Sequence, residues 1–221
     1  HHQVLETLAR ALRRIGRAAE AHALDDEARH VLADFQRLLV ADGVVAGYAQ
    51  FEPGRERRLL LHPQDQVTGV HYSLLPTMHA VINDMLSPAQ AKDQLRLIEK
   101  HLHGPDGARL FDRPLPYRGG PQQLFQRAES SAFFGREIGV MYMHAHLRYA
   151  EMLAHLGEVD RFFDALCNTH PIALRERVPT SDRRQANCYY SSSDAAFPDR
   201  YEAHSRYDDI ARGGVELDGG W

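Results

Sequence analysis

FQRAESSAFFGREIGVMYMHAHLRYAEMLAHLG, residues 125 to 157, crowds arginine, glutamate and histidine into one segment that then becomes a long helix. Gly135 and Arg136 open an apolar-periodic run that continues to Leu156 without a proline. Gly157 stands where a left-handed helix stop belongs, so a helix of roughly 20 residues is expected. At about 100° per residue, His144 shares a face with Glu137, Met141 and Arg148, whereas His146 points about 200° away beside Tyr142, Tyr149 and Leu153. The two histidines thus meet different surroundings. A helical pair of metal ligands wants i, i+4 spacing, and His-x-His suits a strand, so a shared metal is the weaker reading. A histidine and an arginine one turn apart on one face suit an oxyanion, because the guanidinium offers forked donors and the imidazole another. Ordinary solvated or satisfied polar groups are the competing explanation.

The same helical period recurs on either side of this stretch. A helix over residues 3 to 22 places Leu5, Leu8, Leu12 and Ile15 on one stripe. A second, from about Glu27 to Val40, carries Ala28, Val31, Leu32, Phe35, Leu38 and Leu39. From Asp42 to His71, glycines, prolines and short β-prone patches indicate a long connection with a small β-hairpin. A third helix over about Leu74 to Leu86 buries Leu75, Met78, Ile82 and Met85 and turns His79 and Asn83 to another face. Ser87-Pro88-Ala89-Gln90 announces the fourth: serine as N-cap, proline at the first helical position and glutamine closing a capping box. Residues 103 to 134 read as irregular, a short helix over Val159 to Leu166 packs through Val159, Phe162, Phe163 and Leu166, and the rest is less regular. Ser191, Ser192, Ser193 and Asp194 lack a glycine elbow and read as a turn.

Helix pair and long loop therefore alternate with a period of roughly 65 residues. Successive helical hairpins whose long connections gather at one end describe a solenoid or a closed α/α toroid, an all-α class. Six hairpins need a longer chain than the 221 residues present, and both ends fall inside such a pattern, so a piece of a larger domain is expected. The exposed edges of a partial toroid are expected to promote self-association.

Composition narrows the partners. A net charge of −4 without a dense Lys/Arg block excludes phosphate tracking along nucleic acid. No apolar run of about 18 residues spans a bilayer, and no signal-peptide pattern opens the chain. Cys167 and Cys188 are too few for a disulfide framework or a zinc cluster, so a cytoplasmic setting is expected.

Several blocks, in order and across nearly the whole chain, resemble inverting phosphorylases of glycoside hydrolase family 94, in the branch acting on 1,2-β-oligoglucans. They are DGVVAGY at 42 to 48, LLHPQDQVTGVHYSLLP at 60 to 76, GPDGARLFDRPLPYRGG at 104 to 120, FQRAESSAFFGREIG at 125 to 139, YMHAHLRYAE at 142 to 151, RQANCYYSSSDAAFPDRYEA at 184 to 203, and the terminal GGW. The resemblance implies an (α/α)6 barrel, of which residues 1 to 221 would be part of the C-terminal half. It implies that inorganic phosphate attacks the anomeric carbon of a β-linked gluco-oligosaccharide to give α-glucose 1-phosphate with inversion, without a cofactor.

Phosphate brings its own nucleophile, so the protein must supply one general acid and a set of phosphate donors. By resemblance His144 is a phosphate ligand. Arg136 and Arg127, on the same segment, are candidates for the same role, and Arg148 is placed to orient His144. Asp65, His71 and Tyr72 are candidates to bind sugar hydroxyls or equally to cap the third helix. Glu129 suits a salt bridge that fixes an arginine, with sugar contact as the alternative. Arg184, Gln185 and Tyr189 suit a carbohydrate pocket or a surface loop. The family's acid is an aspartate near tryptophan. The sole tryptophan is Trp221, so that acid is expected upstream of His1, and a further phosphate loop beyond Trp221. A toroid hydrolase with two carboxylates, an epimerase with paired bases and a non-catalytic scaffold remain the alternatives.

Overall fold

The computed structural model describes residues 1–104, 107–113, 121, 143–169 and 176, together with the backbone of 190–193 and 213–216. Helix dominates this set, with small antiparallel hairpins between the helices.

Helices α1 (His2–Arg14) and α2 (Ala18–Leu39) form a tight hairpin. The break between them lies at Gly16, earlier than the sequence period suggested. Gly16 takes φ +80°, its N–H donates to the Arg13 carbonyl (3.2 Å), and the Arg17 N–H donates to that of Leu12 (3.0 Å). This is a Schellman stop, for which glycine carries no Cβ penalty. With α2 starting at Ala18, the close contact falls on small residues: Ala9, Ala21 and Ala28 are buried. The stripe expected on α1 is rotated accordingly. His2 and Ala9 face inward and the His2 ring nitrogen Nδ1 bonds the Ala28 carbonyl at 3.1 Å, while Leu8 and Ile15 are exposed.

The connection after α2 holds two hairpins, β1 (Val40–Ala41) with β2 (Val44–Val45) and β3 (Tyr48–Gln50) with β4 (Arg58–Leu60). Helix α3 (Leu74–Ile82) ends at Asp84, which takes the left-handed φ of 54° and closes a second Schellman stop through its N–H to Val81 and the Met85 N–H to Ala80. Helix α4 (Pro88–His101) opens on the expected capping box: Gln90 N–H donates to Ser87 Oγ, and Ser87 N–H donates to Gln90 Oε1 (2.9 Å). Where irregular chain was expected, β5 (His103–Gly104) pairs with β6 (Gly107–Ala108).

Helix α5 (Met143–His155) lies within the stretch expected to be a long helix, whose earlier residues, from Gly135 to Tyr142, lie outside the described residues. Gly157, at φ +74°, stops it as anticipated: its own N–H donates to Ala154 and the Glu158 N–H donates to Leu153 (2.9 Å). Helix α6 (Val159–Asn168) follows. Its buried face is narrower than the apolar pattern suggested, since Phe162 packs on the core while Val159, Phe163 and Leu166 stay exposed. Ser191 to Ser193, expected in a turn, belong to strand β7 (Tyr190–Ser193), which pairs with β8 (Gly213–Glu216).

The main core lies where α3, α4, α5 and α6 meet. Leu74, Met78, Val81, Leu95, Ile98, Met152 and Leu153 fill it, and Ala145, Ala150 and Ala165 let the helices approach closely. Polar ties join α2 and the β1–β2 turn that follows it to α4. Gln94 Nε2 donates to the Gly43 carbonyl (2.7 Å), and Gln90 Nε2 donates to Gln36 Oε1 (3.1 Å). Among the described residues, no helix is long and apolar enough to cross a membrane.

Candidate functional site

His144 and His146 occupy the opposite environments that helical geometry assigns them. His146 is fully buried and does structural work. Its Nε2–H donates to the Ala165 carbonyl (2.9 Å) and its Nδ1 accepts from the Ala108 N–H (3.0 Å), so one neutral imidazole joins α5, α6 and the β5–β6 hairpin. Burial pushes its pKa down to about 4, only partly offset by the bond to Ala165.

His144 is exposed on the other face, at a cleft of about 280 Å³ between α3 and α5. Leu75, Met78, Leu110 and Ala145 form an apolar floor, and His79, His144 and Arg148 stand around it. Met78 is buried, whereas Leu75, expected in the core, is 41% exposed because α5 meets α3 one helical face away. The Leu74 N–H donates to the Leu110 carbonyl (2.9 Å), which fixes the start of α3 against the segment after β6. Arg148 pairs with Glu151 three residues on, so its charge is held at the rim. His79 has its pKa lowered by partial desolvation and by the Arg148 charge, against the opposing pull of Glu151. The result is a rim of two imidazoles and one guanidinium, the latter paired with Glu151, over an apolar base.

The other sequence candidates lie apart from that lining. Asp65 is buried and braces its own loop: Oδ1 accepts from the N–H groups of Val67 (2.7 Å) and Thr68 (3.0 Å), and Oδ2 accepts from the Leu61 N–H (2.8 Å) and the Thr68 hydroxyl (2.5 Å). Burial works to raise its pKa, but these bonds outweigh it and the net direction is down. Leu61, at φ 53°, needs such bracing. His71 and Tyr72 are set by Asp112, whose Oδ1 accepts both of their backbone N–H groups at 2.9 and 3.0 Å. The Tyr72 ring stacks on His101 with centroids 3.9 Å apart. Arg127, Glu129, Arg136, Arg184, Gln185 and Tyr189 lie outside the described residues.

His79 and Asp112 did not stand out as site residues in the sequence. His79 was visible only as a polar position off the buried stripe of α3, and it takes the packing of α5 to make that position a cleft wall.

Over 195 residues the chain is 40% identical to the 1,2-beta-oligoglucan phosphorylase of Listeria innocua serovar 6a, an alignment covering 88% of this chain. The chain is a homologue of that phosphorylase. It spans 18% of the length of this curated relative. No family model matches the chain. The shared stretch with the oligoglucan phosphorylase includes most of the chain, so homology and the α3–α5 cleft bear on the same polypeptide segment.

Proposed function

We propose that this chain is part of a glycoside phosphorylase of family 94, in which inorganic phosphate cleaves a β-linked gluco-oligosaccharide, most simply a 1,2-linked one, and releases α-glucose 1-phosphate with inversion. The observation that carries the reading is the homology to an oligoglucan phosphorylase across 88% of the chain. The α3–α5 cleft supports it, because His144 and Arg148 share a rim with His79. On this reading the described helices are one sector of an (α/α)6 barrel.

In the mechanism, His144 donates to phosphate, and Arg148, held in place by Glu151, offers guanidinium donors beside it. His79 adds a second imidazole from the neighbouring helix. Arg136 and Arg127 are the further candidates for the same anion. With phosphate as nucleophile no carboxylate base is needed, and the acid that protonates the leaving oxygen comes from elsewhere in the complete protein. Asp65 serves by holding its loop, and Tyr72 and His71 offer a ring and a donor on the approach to α3.

The test is phosphate-dependent release of glucose 1-phosphate from β-1,2-glucan by the complete protein. His144→Ala is expected to raise the KM for phosphate about 10- to 100-fold, the scale of one charge-assisted hydrogen bond, with a much smaller effect on the KM for glucan. Sugar release that ignores phosphate would overturn the phosphorylase reading in favour of hydrolysis.

A further inference from the structure

Helices α1 and α6 each turn a line of apolar side chains to solvent: Val4, Leu8 and Ile15 on the first, Val159, Phe163 and Leu166 on the second. At about 100° per residue each set falls within an arc of about 60°, so each is one continuous stripe. Both helices already spend another face on their own fold. His2 and Ala9 set α1 against α2, and Phe162 and Ala165 set α6 against the core. The stripes lie outside that packing and form a second face on each helix.

Charge distinguishes the two stripes. Arg10 and Arg14 run beside the α1 stripe, both exposed, and neither forms an ion pair among the described residues; Arg10 donates to the neighbouring Thr7 hydroxyl (3.0 Å). Asp160 and Asp164 run beside the α6 stripe at the same i, i+4 spacing, both exposed, and Asp160 has no ion pair among the described residues. Each pair lies about 90–140° around its helix from the centre of the stripe, but on opposite hands. Viewed from the helix N-terminus, the arginines lie anticlockwise of the α1 stripe and the aspartates clockwise of the α6 stripe, because a right-handed helix turns clockwise as it recedes. With the stripes face to face and the helices parallel, arginines and aspartates therefore meet along one edge. The antiparallel arrangement puts them on opposite edges, and an α1–α1 or α6–α6 pairing offers neither pair an opposite charge.

We propose that the α1 stripe of one copy of this chain takes the α6 stripe of a second copy, in parallel, with Arg10 and Arg14 alongside Asp160 and Asp164. Apolar burial supplies the attraction, and the charged edge selects the partner face and its direction. The two surfaces differ, so the contact is heterologous. Each added copy leaves one α1 and one α6 stripe open, and assembly proceeds head to tail into a ring or an extending chain rather than stopping at a two-fold dimer. The inference rests on these two helix faces and is independent of the phosphorylase reading.

The test is sedimentation velocity on the 221-residue chain, with circular dichroism to confirm that each variant keeps its helices. Species larger than a dimer are expected as concentration rises. Arg10→Glu with Arg14→Glu, or Asp160→Lys with Asp164→Lys, is expected to weaken association about tenfold or more. Asp160→Lys alone, at a side chain without a described ion pair, is expected to weaken it about threefold. An equal mixture of the two double variants should regain the assembly of the natural chain, because the glutamates of one meet the lysines of the other while the unaltered arginines and aspartates still match. Double variants that associate as the natural chain does, a mixture no larger than either variant alone, or a closed two-fold dimer overturns the proposal. So does a complete protein in which the same reversals lower the melting temperature and leave the oligomeric state unchanged, because the stripes are then covered within one polypeptide.

Discussion

His146 shows how one side chain can set a pH limit on the whole fold. In the folded chain its pKa is about 4, against the ordinary 6.5 that it regains on unfolding. A lowered histidine pKa means that the unfolded chain binds the extra proton first. Its contribution is therefore complete above about pH 6.5 and fades as pH falls towards 4, by roughly 3 kcal/mol in all. Urea midpoints measured across that window should decline in the natural protein and decline less in His146→Gln. Gly107 is tied to the same ring. It sits at φ +134°, and a Cβ there would come within 2.5 Å of His146 Cε1. Gly107→Ala is expected to cost about 2–4 kcal/mol, since strain and a displaced buried imidazole act together. A melting temperature unchanged from the natural protein would refute this. From sequence, His146 could be assigned to the inner face of its helix by period alone. Its two partners, Ala108 and Ala165, are 38 and 19 residues distant and no local pattern announces them.

Helix ends were the most legible elements, because their chemistry is local. Ser87 and Gln90 satisfy each other's backbone across three residues, and Gly157 relieves the left-handed turn after α5. Ser87→Ala should cost about 1 kcal/mol, seen as a lower urea midpoint, with the structure otherwise unchanged. Gly16 carries an equally local signal, a glycine just after a helix turn that holds Arg13 and Arg14, yet the apolar stripe through Leu12 and Ile15 masked it. Asp84 stops α3 without a glycine. Its carboxylate also meets His155 Nε2 at 2.9 Å, a contact 71 residues apart that ties the ends of α3 and α5. The β5–β6 hairpin escaped notice for a related reason: two-residue strands have no period to read, and the bond from the Ala108 N–H to His146 comes from a residue 38 positions away.

Across the whole molecule, the core joins α3 to α6 while two outer faces keep apolar side chains in water. Val4, Leu8 and Ile15 on α1 are 66%, 48% and 68% exposed, and Val159 and Phe163 on α6 are 71% and 65% exposed. The 221-residue chain on its own should therefore self-associate at tens of micromolar, and Leu8→Ser with Phe163→Ser should reduce this; light scattering that shows a monomer throughout would refute it. The sequence by itself determined that the chain is helical, where α4 starts and α5 stops, that His144 and His146 part company, and the kinship to oligoglucan phosphorylases. Each of these follows from backbone geometry over a few residues or from the order of motifs along the chain. Only the tertiary structure decided that His79 joins His144 and Arg148 and that Asp65 braces a loop. Those outcomes depend on which helix faces pack together, a choice made by shape and burial among residues far apart in the chain.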